Sequence, residues 1–279
     1  MPESTEVSSL DPLTRAPARV SAPTGRRLLR TTLVAAWTAW WSLVWGTATL
    51  LLLPFQQWKR HWRIWCLRQW ARGITTILHV DIVSDGPIPR GAPFVLVTNH
   101  LSYLDVIILA QLVGAVFVAK REVRSWPVWG VLSRAMETIY IDRERRRDTL
   151  WASDAIERSL HRGDNVVIFP EGTSTEGSAV APFRSSLLEA AARTGQAVHY
   201  ASLSYRTGAG DPPARLAVCW WGDMEFAPHF WALCGITQIE ASVRFGDEPV
   251  RADDRKQLAL SLHRAVTNGF TPVTNKEQA

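Results

Sequence analysis

Residues 94–105 read FVLVTNHLSYLD, which sets His100 five positions before Asp105 at the end of an apolar run. Five residues is not a helical i, i+4 spacing, so a straight helix does not bring these two side chains together. A histidine in the loop before a helix, with the aspartate in its first turn, does, because the carboxylate reaches back to one ring nitrogen. That contact selects the tautomer and raises the basicity of the other nitrogen, as a general base acting on an alcohol requires. An acid near a helix N-terminus is also favoured by the helix dipole. The chain contains no GxSxG, so the pair has no serine nucleophile of its own and must act on a hydroxyl brought by a substrate. Taken alone, the spacing equally describes a satisfied polar histidine followed by a helix cap.

Two further stretches sit directly after apolar runs. DRERRR (142–147) follows TIYI, and PEGTST (170–175) follows NVVIF. If the sheet is largely parallel, the loops after all three strands open on one side, which is where α/β folds collect functional residues. Arg143, directly after its strand, has the forked donors that suit a phosphate. Arg145, Arg146 and Arg147 read as a solvated helix start.

The block FPEGTST at 169–175 resembles the FPEGT block of the glycerophospholipid acyltransferase family, the 1-acyl-sn-glycerol-3-phosphate acyltransferases and their relatives. NHLSYLD resembles that family's NHxSxxD block at the expected order and distance, and the resemblance covers roughly residues 75–250. It implies that His100 is the general base and that Asp105 orients it. The hydroxyl of a lysophosphatidic acid, glycerol 3-phosphate or another lysolipid such as lyso-ornithine lipid then attacks the thioester of acyl-CoA or acyl carrier protein, with no metal or redox cofactor. It also implies that Arg143 binds an acceptor phosphate. Glu171 repels phosphate, so it is expected to pair with a basic residue such as Arg143 or to hold an acceptor hydroxyl. Gly172 permits close backbone approach, and Thr173 offers an N–H and a hydroxyl. Lys120 and Arg184 are further cationic candidates for substrate binding, although Lys120 reads equally as a surface lysine. Two places depart from the family pattern: Ser185-Ser186 stand where a glycine is usual, and His199 where a proline is usual. His199 lies in a strand pattern and is expected to be structural.

These residues need a frame. At 279 residues with 47% apolar and 20% charged side chains, the chain can hold one large domain plus an appendage. The alternation of short apolar runs with helical patterns beyond residue 75 predicts an α/β fold, a mixed and largely parallel sheet flanked by helices. Strands are expected at 77–83, 94–98, 115–119, 138–141, 165–169, 197–205, 214–220 and 238–245. Helices are expected near 102–112, 123–135, 146–162, 183–194 and 253–268. The domain reading is a disordered tail at 1–25, membrane-anchoring helices at 26–74, an acyltransferase domain at 75–250 and a C-terminal helix and tail at 251–279.

The anchoring segment has its own signature. Eight of the fourteen tryptophans fall between residues 37 and 70, and no charged residue occurs from Thr31 to Trp58. Indoles concentrate at membrane interfaces, and an apolar segment of about 20 residues is long enough to cross a bilayer as a helix. Beyond Pro54, Phe55, Trp58, Trp62 and Trp65 share one helical face and Lys59, Arg60 and Arg63 the other, the pattern of a helix lying among lipid headgroups. A membrane helix, either spanning the bilayer or re-entrant from one leaflet, holding the domain at the cytoplasmic side is therefore expected. Cys66, Cys219 and Cys234 have neither zinc nor disulfide spacing and read as buried thiols. The net charge of +5 suits an anionic partner. The basic residues cluster beside tryptophans instead of along a groove, so nucleic acid is not the expected one. A non-catalytic lipid-binding protein is the alternative from another class, and the joint presence of His100, Asp105 and Glu171 argues against it.

Overall fold

The computed structural model describes residues 23–51, 56–91, 93–126, 129–141 and 146–273. Arg143, most of the N-terminal tail, and Pro54 and Phe55 lie outside the described residues. Among the described residues seven strands form one sheet: β1 (Val80–Asp85), β2 (Val95–Thr98), β3 (Ala115–Lys120), β4 (Ile139–Ile141), β5 (Asn165–Ile168), β6 (Val198–Thr207) and β7 (Ile239–Phe245). Their order is β1-β7-β6-β2-β5-β3-β4. Every neighbouring pair is parallel except β6 and β7, so five strands run one way and the β7–β1 pair the other.

The central strand β2 reads VLVT and is buried along its whole length. Leu96 faces one core, and Val95 and Val97 face the other. A strand covered on both sides needs such an unbroken apolar run, and this is why no polar alternation marks it in the sequence. On one face lie α2 (Gln56–Leu78), α3 (Tyr103–Val113), α7 (Ala214–Ala217) and α8 (Phe226–Leu233); on the other lie α5 (Arg146–His161), α6 (Glu189–Arg193) and α9 (Arg255–Gly269). α1 (Thr24–Leu51) packs along α2, and α4 (Trp129–Ala135) follows a short 3-10 turn at Arg121–Ser125.

Two expectations need correction. The segment 214–220 forms α7 and a turn instead of a strand. Pro213 lacks an N–H, its carbonyl accepts from Leu216 N at 2.9 Å and Ala217 N at 3.1 Å, and Ala-Arg-Leu-Ala is a strong helix former. The expected membrane span is not found either: among the described residues no helix is long and apolar enough to cross a bilayer. Part of α1 instead faces the domain. Trp37 Nε1 donates to the Trp70 carbonyl at 3.0 Å, and Trp70 Nε1 donates to Thr38 Oγ1 at 3.1 Å. Arg30, 6% exposed, donates to the carbonyls of Cys234, Ile236 and Thr237 at the end of α8.

The basic face of α2 is likewise turned inward, contrary to the headgroup reading. Arg60 Nε and Arg63 Nη2 reach Asp164 Oδ1 at 3.0 and 2.8 Å, and Arg63 also donates to the Met136 carbonyl at 2.9 Å. The indoles of Trp58 and Trp65 stay exposed, at 70% and 47%. A helix wedged between a sheet and solvent sends its charges to the nearest buried carboxylate, which periodicity alone does not locate. All three cysteines are free and buried.

Candidate active site

The parallel strands β2, β5 and β4 end on one edge, and the loops after β2 and β5 meet there. β2 stops at Thr98, and Asn99 continues its ladder with a side chain. The Asn99 amide donates to the Leu203 carbonyl at 2.9 Å and its oxygen accepts from Leu203 N at 2.7 Å. The chain then turns into α3, with Ser102 extended at the N-cap and Asp105 in the first turn. His100 is thereby left in the loop and Asp105 on the helix, the arrangement that their spacing suggests.

The two side chains meet. His100 Nδ1 lies 2.7 Å from Asp105 Oδ2, which also accepts from Leu101 N at 2.6 Å and Ser102 N at 3.0 Å. Asp105 is fully buried, and these N–H donors satisfy its buried oxygen. A carboxylate oxygen at Nδ1 assigns the tautomer with its proton on that nitrogen and leaves Nε2 with the free lone pair. Among the described residues nothing hydrogen-bonds Nε2. The His100 ring stacks on Phe169, centroids 4.1 Å apart at 21°, which fixes its plane.

The FPEGT block grips the backbone of His100. Glu171 Oε1 accepts from His100 N at 2.6 Å, Oε2 accepts from Ala181 N at 2.9 Å, and Thr175 N donates to the His100 carbonyl at 2.9 Å. Glu171 is only 4% exposed, and burial pushes its carboxyl up to about 7 against the pull of the two N–H groups. The sequence suggested that this carboxylate pairs with a cation or holds an acceptor hydroxyl; its oxygens are instead engaged by backbone, and it does not line the cavity described next. Gly172, at φ 83°, makes the turn that only glycine takes without strain.

His100 lies on the wall of a cavity of about 360 Å³, within the range of small-molecule sites. Tyr103, Trp126, Trp129, Trp220, Trp221 and Phe226 make much of its wall, and it extends to Leu67, Trp70 and Met136. Gly172, Thr173 and Lys120 line it as well, with Glu122 beside them. Arg184 does not: it is exposed, its N–H donates to the Pro170 carbonyl at 2.8 Å, and it caps the 3-10 turn Ser185–Leu188. His199 packs edge-on to Phe94 at 5.4 Å, away from the cavity lining.

Several contributors escaped the sequence reading. His229 accepts from the Tyr103 hydroxyl at 3.0 Å and donates to the Cys219 carbonyl at 3.1 Å, pinning α8 over the cavity. Burial pushes this imidazole down to about 4, so it stays neutral. The Tyr205 hydroxyl donates to Asp105 Oδ1 at 2.5 Å. No motif spacing signals a contact between residues 100 positions apart, although the run at 197–205 ending in LSY marked β6 as the strand that supplies it.

An apolar cavity with a histidine–aspartate pair on its wall, at the parallel edge of such a sheet, fits a transferase that acts on substrates with long apolar parts. Comparison with known proteins agrees. The Acyltransferase family model matches residues 79–205. The lyso-ornithine lipid O-acyltransferase of Brucella abortus is 32% identical over 235 residues, 78% of this chain and 88% of the relative. The 1-acyl-sn-glycerol-3-phosphate acyltransferase of Neisseria meningitidis is 30% identical over 191 residues, 68% and 74% of the two chains. The crystal structure of the 1-acyl-sn-glycerophosphate acyltransferase PlsC from Thermotoga maritima shares the fold, with a TM-score of 0.60 at 20% identity over 87% of this chain and 97% of that one. The chain belongs to the acyltransferase family.

Proposed function

We propose that this acyltransferase moves a fatty acyl group from a thioester donor, acyl-CoA or acyl carrier protein, to the hydroxyl of a lysolipid. The observation that carries the reading is the 2.7 Å contact of His100 Nδ1 with buried Asp105, on the wall of an apolar cavity. His100 Nε2 takes the proton of the acceptor hydroxyl as its oxygen attacks the thioester carbonyl. Asp105 holds the tautomer and stabilises the imidazolium. Collapse of the tetrahedral intermediate breaks the C–S bond, and the imidazolium returns its proton to the leaving thiolate. An ester and a free thiol result.

For the acceptor, we favour a lyso-ornithine lipid. The Brucella relative so named matches more of the chain than does the Neisseria relative named for 1-acyl-sn-glycerol 3-phosphate. Lys120 and Glu122 both line the cavity, so an amino-acid headgroup carrying a carboxylate and an ammonium meets an opposite charge for each, whereas a phosphate meets a repulsive Glu122. A lysophosphatidic acid acceptor remains the reading that the sequence motifs favour, through Arg143.

The α1–α2 pair suits docking on a bilayer surface. Leu28, Leu29, Leu33, Trp40, Leu43 and Trp58 are exposed along it, at 44% to 70%. Apolar side chains displayed in this way are those of an interfacial helix. We infer that the domain works at the cytoplasmic face of the membrane.

The test offers lyso-ornithine lipid, lysophosphatidic acid and glycerol 3-phosphate together, in vesicles with acyl-CoA, and reads products by mass spectrometry and thiol release. Acylated ornithine lipid is the expected major product, and a phosphatidic acid product overturns the acceptor assignment. His100→Ala is expected to abolish thiol release. Undiminished release in that variant overturns the general-base role.

A further inference from the structure

Asp105 Oδ2 is fully occupied by His100 and two backbone N–H groups, and Oδ1 is left to a residue from another part of the sheet. Among the described residues Tyr205 supplies its one hydrogen bond, at 2.5 Å. This length lies in the range of charge-assisted O–H···O⁻ bonds. Both partners are sealed from solvent, Tyr205 at 2% and Asp105 at 0% exposure. The placement follows from the strands. β6 runs on past the last β2 pairing, Thr98 with Ala201, and the Asn99 amide grips Leu203 on both sides of its peptide unit. Side chains two apart on a strand share a face, so clamping Leu203 also sets Tyr205 over Asp105.

We propose that Tyr205 is a positioning residue for acyl transfer: its hydroxyl holds the carboxylate plane so that Oδ2 meets His100 Nδ1, and it draws off part of the charge that would otherwise fall on the imidazole. This rests on His100 being the general base. Burial, and then the Asp105 charge, hold the Tyr205 phenol well above its usual range, so it remains a donor throughout the working pH.

The groups that surround Asp105 are defined. His100 comes from the loop after β2, and Tyr103, from α3, lies near the Tyr205 phenol. Glu171, from the loop after β5, is linked through His100 N. Cys219 follows α7, with the Arg215–Glu176 ion pair behind it. Glu171 titrates near neutrality, so a rate profile alone confounds two groups, and the His100 ring has to be followed directly.

The experiment uses the full chain with Tyr205→Phe, which removes the hydroxyl and keeps the ring. The expected result is a fall in kcat of about 10- to 100-fold with KM for both substrates held. The His100 titration, followed by nitrogen-15 NMR, is expected to move up, because the undivided Asp105 charge then favours the imidazolium. A His100 titration that stays in place, with or without slower turnover, overturns the proposal, since a merely structural hydroxyl leaves that midpoint alone. If Tyr205→Phe melts well below the parent, 3-fluorotyrosine at 205 replaces it. This stronger donor is expected to move the midpoint down, and no movement overturns the proposal. An inactive His100→Ala beside an unaffected Tyr205→Phe removes only this inference, whereas an active His100→Ala removes the reading beneath it.

Discussion

β5 has a buried carboxylate just before its start and another just past its end, and the two are held in opposite ways. Asp164, 1% exposed, accepts from Arg60 and Arg63 of α2. Glu171, 4% exposed, accepts from the backbone N–H groups of His100 and Ala181, with no cation at ion-pair distance among the described residues. The first arrangement offsets the cost of burying a charge with opposite charge and so fastens a helix to the sheet. The second offsets it with aligned dipoles, which are weaker but directional. It therefore fixes the angle of one peptide, the peptide that carries the His100 imidazole. Attachment and alignment are separated along one strand.

The contrast is sharpest at the dyad itself. Asp105→Asn offers one oxygen and an amide NH₂ to four donors, and is expected to lower turnover by about 10²- to 10⁴-fold while the α2 contact at Asp164 persists. Thiol release against acyl-CoA measures it. Activity within tenfold of the parent would mean that the carboxylate does not align the ring.

Asp164→Ala is expected to do the reverse. Leaving Arg63 buried without its partner costs about 3–5 kcal/mol and lowers the melting temperature by roughly 10 °C, with kcat of the folded protein retained. Thermal melts and kinetics on the same sample check this. A loss of kcat without a loss of stability would erase the distinction between the two ends.

Glu171→Gln tests the dipole-held end. Burial raises the folded carboxyl from 4.5 to about 7, so the native state binds its proton more tightly than the unfolded chain does. That contribution is complete below pH 4.5 and is lost as pH rises through about 7, a span of about 3 kcal/mol. Glutamine does not titrate. The stability advantage of the parent over Glu171→Gln is therefore expected to shrink between about pH 5 and about pH 8, as read by melting temperature. A gap independent of pH would place the burial cost elsewhere.

The smallest effect belongs to the outer face of α2. Trp58→Ser is expected to weaken vesicle binding by about 1 kcal/mol, roughly fivefold, in a flotation assay, with kcat on a short-chain soluble acceptor unchanged. Equal binding by parent and variant would remove Trp58 from the docking surface.

Much of this was legible in the amino acids. Seven of the eight expected strands form, because runs such as VLVT and NVVI can be satisfied only between two apolar layers. The His100–Asp105 contact was legible too, since a loop residue and a first-turn residue are neighbours whatever the rest of the chain does. The eighth strand failed for a local reason, the paired prolines before Ala214.

Chemistry that depends only on neighbours in the chain is written in the residue order: the strand cores, the dyad, the indole-rich helices. What residue order left open is everything that joins distant segments. Whether Arg60 and Arg63 meet headgroups or Asp164, whether Glu171 faces a substrate or the His100 peptide, and which phenol completes Asp105 are settled by sheet order and register. A side chain's type states which partner would satisfy it, and only the folded chain brings one such partner within 3 Å while excluding the others.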